Sequence, residues 1–132
     1  TKVKKSTGLI QHDGFRNVYH EFIRDFVRSH LREDYVIFEH NPDLRLHPAG
    51  GKAITPPHTD SQSKHSPYEI NFWLPLTHAY GNNSVWTESE PGRGDFHTFE
   101  VSYGQIVRFY GNACLHYTLD NDTDFSRVSF DF

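Results

Sequence analysis

From residue 35 onward, the chain consists of short runs rich in β-branched and aromatic residues, each bounded by Gly, Pro, Asn or Asp. Evenly spaced short strands with turn signals between them are typical of an all-β sandwich or barrel. Phe and Tyr are abundant, at 11 and 7 residues, which also favours strands. The predicted strands are YVIFE (35–39), DLRLHP (43–48), AITPPHTD (53–60), YEINFWLPL (68–76), SVWTES (84–89), FHTFEV (96–101), QIVRFYG (105–111), ACLHYTL (113–119) and SRVSFDF (126–132).

Counted from DLRLHP, the predicted strands number eight, which is the number in a double-sheet jelly roll. A helical pattern precedes them, since apolar residues recur at steps of three to five between Phe15 and Leu31, and Asp13 is expected to cap this helix. We therefore predict a single domain over residues 1–132. It is mainly β: a double-stranded β-helix (a cupin-like jelly roll) with the N-terminal helix packed on the outer face of a sheet. Residues 1–8 are expected to form a loose arm.

Composition excludes several classes of partner. The net charge is −4 and no basic stripe is present, so we expect no nucleic-acid partner. No apolar run approaches the ~20 residues that a membrane span needs, so we expect no membrane association. Cys114 is the only cysteine, which fits a reducing compartment, and we predict a cytoplasmic location. The chain has no methionine, even at position 1, and stops at Phe132 within a strand-like run, so we expect both ends to be truncated.

Three side chains form a candidate metal site. His58 and Asp60 are two apart in PPHTDSQ, so they share one face of a strand, and His116 lies in GNACLHYTL on the seventh predicted strand. Two imidazoles and one carboxylate are the ligand set of non-haem Fe(II) oxygenases, which leave the opposite face of the metal open. The His-x-Asp pair alone is a weak signal in a chain with ten His, but its combination with His116 is strong. Among the other histidines, His47 ends a strand near this site, and the rest are interpreted as surface residues.

Arg127 lies on the last predicted strand, 11 positions after His116, and shares a face with Ser129 and Asp131. A fixed guanidinium beside an iron site suggests a carboxylate-bearing cosubstrate that is held at two points. A 2-oxo acid can bind a metal through its carboxylate and keto oxygens while Arg127 binds its other end and Ser129 adds a hydrogen bond. Asn71 is a candidate for binding the carboxylate on the iron side.

Taken together, these motifs resemble the Fe(II)/2-oxoglutarate-dependent dioxygenase superfamily, with HTD on the second barrel strand, a distal His on the seventh and an Arg on the eighth. The resemblance implies that His58, Asp60 and His116 bind iron and carry the catalysis. It also implies that Arg127, assisted by Ser129, pairs with the far carboxylate of 2-oxoglutarate. The segments EINFWLPLT, GNNSVW, ESEPGRGDF and SRVSFDF are similar to a smaller group of proteins associated with streptomycin biosynthesis.

Members of this superfamily use Fe(II), 2-oxoglutarate and O2 and release succinate and CO2. The resemblance therefore implies an oxygenase that hydroxylates a small polar metabolite, such as a sugar or a secondary-metabolite precursor. Related halogenases replace the carboxylate ligand with a small residue so that halide can bind iron, and Asp60 thus favours hydroxylation. Two alternatives remain open: a cupin-like metalloenzyme that does not use 2-oxoglutarate, and a non-catalytic β-barrel binding module in which these residues are incidental.

Overall fold

The computed structural model describes residues 12–132. The loose arm that we predict at residues 1–8 lies outside the described residues. The chain divides into two compact units, one made of the residues up to Leu44 together with Phe132, and the other of Arg45–Asp131. That the helix of the first unit covers the outer face of a sheet stays a prediction.

A helix occupies the N-terminal unit, as predicted. It is α-helical over Asp13–Phe22 (α1), π-helical over Ile23–Val27 and α-helical again over Arg28–Leu31 (α2). The cap is His12 rather than the predicted Asp13, because the ring Nδ1 of His12 accepts a hydrogen bond from the backbone N–H of Gly14 at 3.1 Å. No helix among the described residues is long and apolar enough to cross a membrane.

The buried face of the helix differs from the predicted apolar stripe, which consists of Phe15, Val18, Phe22, Ile23, Phe26 and Leu31. Tyr19, Ile23 and Val27, spaced four apart, are buried, whereas Val18 and Phe26 are 66% and 47% exposed. Residues four apart lie on the same side of a helix, so Tyr19, Ile23 and Val27 form one narrow buried face. The Tyr19 hydroxyl also donates a hydrogen bond to the backbone carbonyl of residue 39 at 3.0 Å, which ties the helix to the segment that follows it.

Seven short strands are found in the described part of the chain. They are Asp43–His47 (β1), Asn71–Pro75 (β2), Trp86–Thr87 (β3), His97–Thr98 (β4), Val107–Phe109 (β5), His116–Tyr117 (β6) and Arg127–Asp131 (β7). Four form one sheet in the order β1-β7-β2-β5, and three form another in the order β4-β3-β6. Strand β2 is antiparallel to β5 and β7, and β3 is antiparallel to β4 and β6. The fold is therefore mainly β with antiparallel sheets and an N-terminal helix.

Two of the predicted strands do not form as strands, and the other predicted strands are shorter than expected. The run at 35–39 forms no strand, and its Tyr35 and Ile37 side chains are fully or almost fully exposed. The run at 53–60 keeps a single antiparallel bridge, between His58 and His116. The two prolines just before His58 supply no backbone N–H, so this stretch cannot continue a ladder. The bridge nevertheless adds His58 to the β6 edge of the three-stranded sheet.

The register of the four-stranded sheet determines which side chains share a face. Residues directly opposite in antiparallel strands point to the same side. The opposed pairs are Asn71 with Phe109, Trp73 with Val107, Trp73 with Asp131, and Pro75 with Ser129. Trp73 belongs to a buried apolar cluster with Ala79 and Val101. The polar residues of β7 therefore lie on the same face of the sheet as core aromatic side chains.

Candidate metal centre

His58 and His116 are directly opposite each other in the backbone. The N–H of His58 donates to the carbonyl of His116 at 3.1 Å, and the N–H of His116 donates to the carbonyl of His58 at 3.0 Å. Opposed residues share a face, and the ring centroids of the two imidazoles lie 4.2 Å apart. Two backbone hydrogen bonds thus bring together histidines that are far apart in the sequence.

The tautomer of each imidazole follows from its hydrogen bond. Nδ1 of His58 lies 2.9 Å from the carbonyl oxygen of Pro56, and Nδ1 of His116 lies 3.0 Å from the carbonyl oxygen of Cys114. A carbonyl oxygen can only accept, so Nδ1 carries the hydrogen in both rings and Nε2 keeps its lone pair. This is the arrangement that orients histidine ligands in metal sites.

Asp60 completes the set of donor atoms. Its Oδ1 lies 3.5 Å from Nε2 of His58 and 3.6 Å from Nε2 of His116, and the ligand atoms of all three residues are within 4.8 Å of one another. Adjacent ligands on one metal at bonds of about 2.1 Å are about 3 Å apart, so a small inward movement suffices to bind a cation. The donor set therefore fits one divalent metal ion with an open face.

Burial favours the neutral form of the His116 imidazole. Burial of His116 lowers the pKa of its imidazole, although the nearby Asp60 carboxylate acts in the opposite direction. The neutral imidazole that results has its Nε2 lone pair free for a metal. The His58 side chain is 27% exposed, against 10% for His116, so solvent reaches the centre mainly at His58.

Arg127 and Ser129 of β7 are buried polar side chains, and some of their polar atoms are unsatisfied within the described residues. The exposed fractions of Arg127 and Ser129 are 1% and 0%. Within residues 12–132, Nε and Nη1 of Arg127 and Oγ of Ser129 make no hydrogen bond. The guanidinium carbon lies 5.4 Å from the ring centroid of Trp73. Burial lowers the pKa of Arg127 to about 10. The charge of the Asp131 carboxylate raises this pKa by less than burial lowers it. Buried N–H groups without hydrogen bonds are costly, so Arg127 and Ser129 are suited to bind an anion.

His47 is a further buried polar residue on β1, the strand beside β7. It has no exposed surface, and its ring nitrogens make no well-formed hydrogen bond to the described residues. Burial and the charge of Arg127 lower the pKa of His47, while backbone groups of Lys52 and Asn83 raise it less. Its place at a strand end near the site was visible in the sequence, but its complete burial was not.

Asn71 contacts the carboxylate of Asp60, one of the three candidate ligands. Its Nδ2 donates to Oδ2 of Asp60 at 2.8 Å, and its Oδ1 accepts from the backbone N–H of Gly111 at 2.9 Å. Both polar atoms of the amide therefore have protein partners. That Asn71 binds a cosubstrate stays a prediction.

Comparisons with known proteins give one relative in sequence and several structures of similar fold. No protein-family model matches the chain. The streptomycin biosynthesis protein StrG of Streptomyces griseus is 36% identical over 118 residues, which cover 89% of this chain and 53% of StrG. The chain thus spans about half the length of this relative.

Two solved structures share the fold. One is a nickel complex of the non-haem monooxygenase ThoJ, with a TM-score of 0.55 and 19% identity over 69% of this chain and 41% of that one. The other is an oxidoreductase of the 2OG-Fe(II) oxygenase family from Burkholderia pseudomallei, with a TM-score of 0.61 and 14% identity over 87% of this chain and 53% of that one. The chain therefore has the fold of non-haem oxygenases, and its candidate site is a His-Asp-His centre that could bind a metal.

Proposed function

We propose that the chain is the oxygenase domain of a non-haem Fe(II) enzyme that uses 2-oxoglutarate to hydroxylate a small polar metabolite. The observation that carries the proposal is the convergence of three donor atoms, Nε2 of His58, Nε2 of His116 and Oδ1 of Asp60. Two His and one carboxylate with open positions are the preferred ligands of Fe(II) in oxygenases. When bound, Fe(II) supplies O2 activation coupled to the oxidative decarboxylation of 2-oxoglutarate to succinate and CO2.

The protein's own residues would bind and orient the reactants. His58 and His116 offer lone pairs at Nε2 because backbone carbonyls accept from Nδ1. Asp60 supplies a negative charge, which offsets part of the charge of the cation. A halide in place of the carboxylate would need the position on the metal that Asp60 would occupy. The presence of Asp60 therefore favours hydroxylation over halogenation.

The cosubstrate assignment rests on Arg127 and Ser129. A guanidinium that is 1% exposed, with two nitrogens that make no hydrogen bond to the described residues, is matched by the distal carboxylate of a dicarboxylic acid. The hydroxyl of Ser129, on the same face of β7, would donate to the same group. Exclusion of water by the surrounding aromatic residues would strengthen this ion pair.

A jelly roll is the architecture that we assign to the sheets. The single bridge at His58 extends the three-stranded sheet, so that each sheet has four positions, as in a double-stranded β-helix. The similarity in fold to the 2OG-Fe(II) oxygenase family structure supports this assignment. In such an architecture the metal ligands and Arg127 would all face the space between the two sheets.

The substrate class is proposed from the relative. StrG is described as a streptomycin biosynthesis protein, which supports a role for this chain in the oxidation of a secondary-metabolite precursor or a sugar. Because the chain spans about half of StrG, the rest of a longer protein could supply further residues that bind the substrate.

The proposal is tested by adding Fe(II) and then 2-oxoglutarate to the protein without oxygen. We expect a weak visible charge-transfer band, which His116→Ala abolishes. The exposed His78 lies outside the centre, so His78→Ala should keep the band. If neither ligand produces a band or a thermal shift in the unsubstituted protein, the proposal is wrong.

A metalloenzyme that does not use 2-oxoglutarate is the second candidate. The contact of Arg127 with the ring of Trp73 favours it, because a guanidinium that stacks on an aromatic ring can serve packing alone. This enzyme would bind Fe(II) with the same affinity whether or not 2-oxoglutarate is present. Binding of 2-oxoglutarate that is lost in an Arg127 variant would exclude it.

A further inference from the structure

The two carboxylate oxygens of Asp60 have different surroundings. Oδ1 faces the Nε2 atoms of His58 and His116, at 3.5 and 3.6 Å. Oδ2 instead accepts a hydrogen bond of 2.8 Å from Nδ2 of Asn71. The two oxygens therefore have separate partners: Oδ1 faces the two imidazoles, and Oδ2 is hydrogen-bonded to the amide of Asn71.

The orientation of the Asn71 amide is fixed independently of Asp60. Its other end lies 2.9 Å from the backbone nitrogen of Gly111, which can only donate. The atom at that end must be the oxygen, so the NH2 group points at Oδ2 of Asp60. Asn71 cannot rotate its amide without losing both hydrogen bonds.

Gly111 makes room for this arrangement. A Cβ at position 111 would lie 2.6 Å from Oδ2 of Asp60 and 2.8 Å from Oδ1 of Asn71, which is closer than side-chain carbons approach such atoms. The carbonyl of Gly111 also accepts a hydrogen bond from the backbone N–H of Asp60 at 3.0 Å. The turn between β5 and β6 thus binds the backbone of Asp60 and leaves room for its carboxylate only because residue 111 has no side chain.

We propose that Asn71 and Gly111 are positioning residues that hold Oδ2 of Asp60 away from the metal, so that Asp60 binds through Oδ1 alone. The inference rests on the proposed function, because it concerns the same centre. Two imidazoles and one carboxylate oxygen leave three positions of an octahedral ion open. A second bond from Oδ2 would occupy one of these positions, which a chelating 2-oxo acid and O2 need between them.

The test uses Co(II) as a spectroscopic probe in place of Fe(II), with the variants Asn71→Ala and Gly111→Ala. The first removes the donor to Oδ2, and the second places a methyl group against it. Asn83→Ala is the control, because Asn83 is buried and its Oδ1, like that of Asn71, accepts from a backbone N–H, that of Tyr80, whereas its hydrogen bonds do not involve Asp60. The readouts are the visible d–d spectrum of the Co(II) protein and the Kd of 2-oxoglutarate.

We expect both Asn71→Ala and Gly111→Ala to change the Co(II) spectrum before 2-oxoglutarate is added, and to raise the Kd of 2-oxoglutarate by about tenfold, as outer-shell changes do. Asn83→Ala should leave the spectrum unchanged even where it lowers thermal stability. If Asn71 bound 2-oxoglutarate directly, its loss would raise the Kd but leave the spectrum of the Co(II) form unaltered.

The outcomes separate this inference from the proposed function. If both variants give the same Co(II) spectrum as the unsubstituted protein, the positioning role is wrong. The proposed metal centre would be unaffected by that result. Altered spectra in a protein that never binds 2-oxoglutarate would support the positioning role and contradict the proposed cosubstrate. Failure of the unsubstituted protein to bind Co(II) would overturn both. If Asn71→Ala does not fold, Gly111→Ala alone decides.

Discussion

The carboxylate of Glu88 accepts a hydrogen bond of 2.9 Å from the backbone N–H of Leu115, the residue directly before His116. Its other oxygen accepts from the N–H of Gly94 at 2.9 Å, and these two hydrogen bonds lower the pKa of Glu88. The backbone N–H of Glu88 also donates to the carbonyl of Leu115. A buried carboxylate on the β3 side thus holds the backbone of the strand that carries His116, one of the candidate metal ligands.

Glu88→Gln should therefore weaken metal binding. The new NH2 group would face a backbone N–H, which leaves one donor without an acceptor and shifts His116. We expect the Kd for Ni(II) to rise by about tenfold, measured by equilibrium titration. Glu90→Gln is the control, because Glu90 is exposed and pairs with Arg93 away from the centre. Equal affinities for Ni(II) in the two variants would show that Glu88 has no positioning role.

Arg127→Gln should reduce the affinity for 2-oxoglutarate and leave metal binding nearly unchanged. Loss of a charge-assisted hydrogen bond of about 1.5–3 kcal/mol corresponds to a Kd about 10- to 100-fold higher. Isothermal titration of the Ni(II) form with 2-oxoglutarate gives the Kd, and Arg108→Gln on the exposed side of β5 is the control. An unchanged Kd would assign Arg127 to packing over Trp73.

The stability of the metal-free protein should fall as the pH decreases below about 6.5. Burial and Arg127 lower the pKa of His47 in the folded state, so the unfolded chain takes up a proton in this range and the folded chain does not. The free energy of unfolding then decreases with falling pH, by at most about 1.4 kcal/mol per pH unit for one group. His116 acts in the same direction.

Urea denaturation between pH 7 and pH 5 measures this effect. His47→Asn should make the pH dependence shallower without removing it, since the contribution of His116 remains. His97→Asn, at an exposed position, should leave the slope unchanged. A slope in His47→Asn equal to that of the unsubstituted protein would contradict the expected titration of His47.

Asn121 should be among the most destabilising positions for substitution. It is 1% exposed, its Nδ2 lies within hydrogen-bond distance of the carbonyls of His47, Pro48 and Phe125, and its Oδ1 accepts from Thr123. Asn121→Ala leaves several of these groups without partners, so we expect the free energy of unfolding to fall by about 2–3 kcal/mol.

The neighbouring exposed Asp122 provides the control for Asn121. Asp122→Ala should change the free energy of unfolding by less than about 0.5 kcal/mol, as surface substitutions usually do. Both variants are measured by urea denaturation at pH 7. Similar values for the two would mean that the loop does not depend on the Asn121 amide.

The sequence predicted which side chains come together at the candidate metal site better than it predicted the strands. Side-chain alternation and ligand chemistry identify His58, Asp60 and His116, and the structure brings their donor atoms together. Propensity also predicted a strand at 35–39, but a strand needs a neighbour to pair with, and among residues 12–132 no strand pairs with this run, whose Tyr35 and Ile37 are exposed. A local pattern cannot reveal whether a partner strand is available.

The roles of Asn71 and Asn121 could not be predicted for a related reason. Each amide contacts backbone groups that are distant in the sequence, such as Gly111, which lies 40 residues after Asn71. These contacts depend on how turns between strands are positioned, and no periodic pattern encodes that. His12 was missed as a helix cap because a ring nitrogen is an uncommon acceptor there, whereas Asp13 matches the usual preference.

The central claim is that one divalent metal binds between His58, Asp60 and His116 while a dicarboxylate reaches Arg127. The most direct test of this claim is a crystal structure with Fe(II) and 2-oxoglutarate. The crystals are grown without oxygen, and anomalous diffraction is recorded at the iron edge. We predict one anomalous peak within about 2.3 Å of the two Nε2 atoms and Oδ1, with density for the dicarboxylate ending at the guanidinium. No peak there, or a peak elsewhere in the chain, would contradict the account.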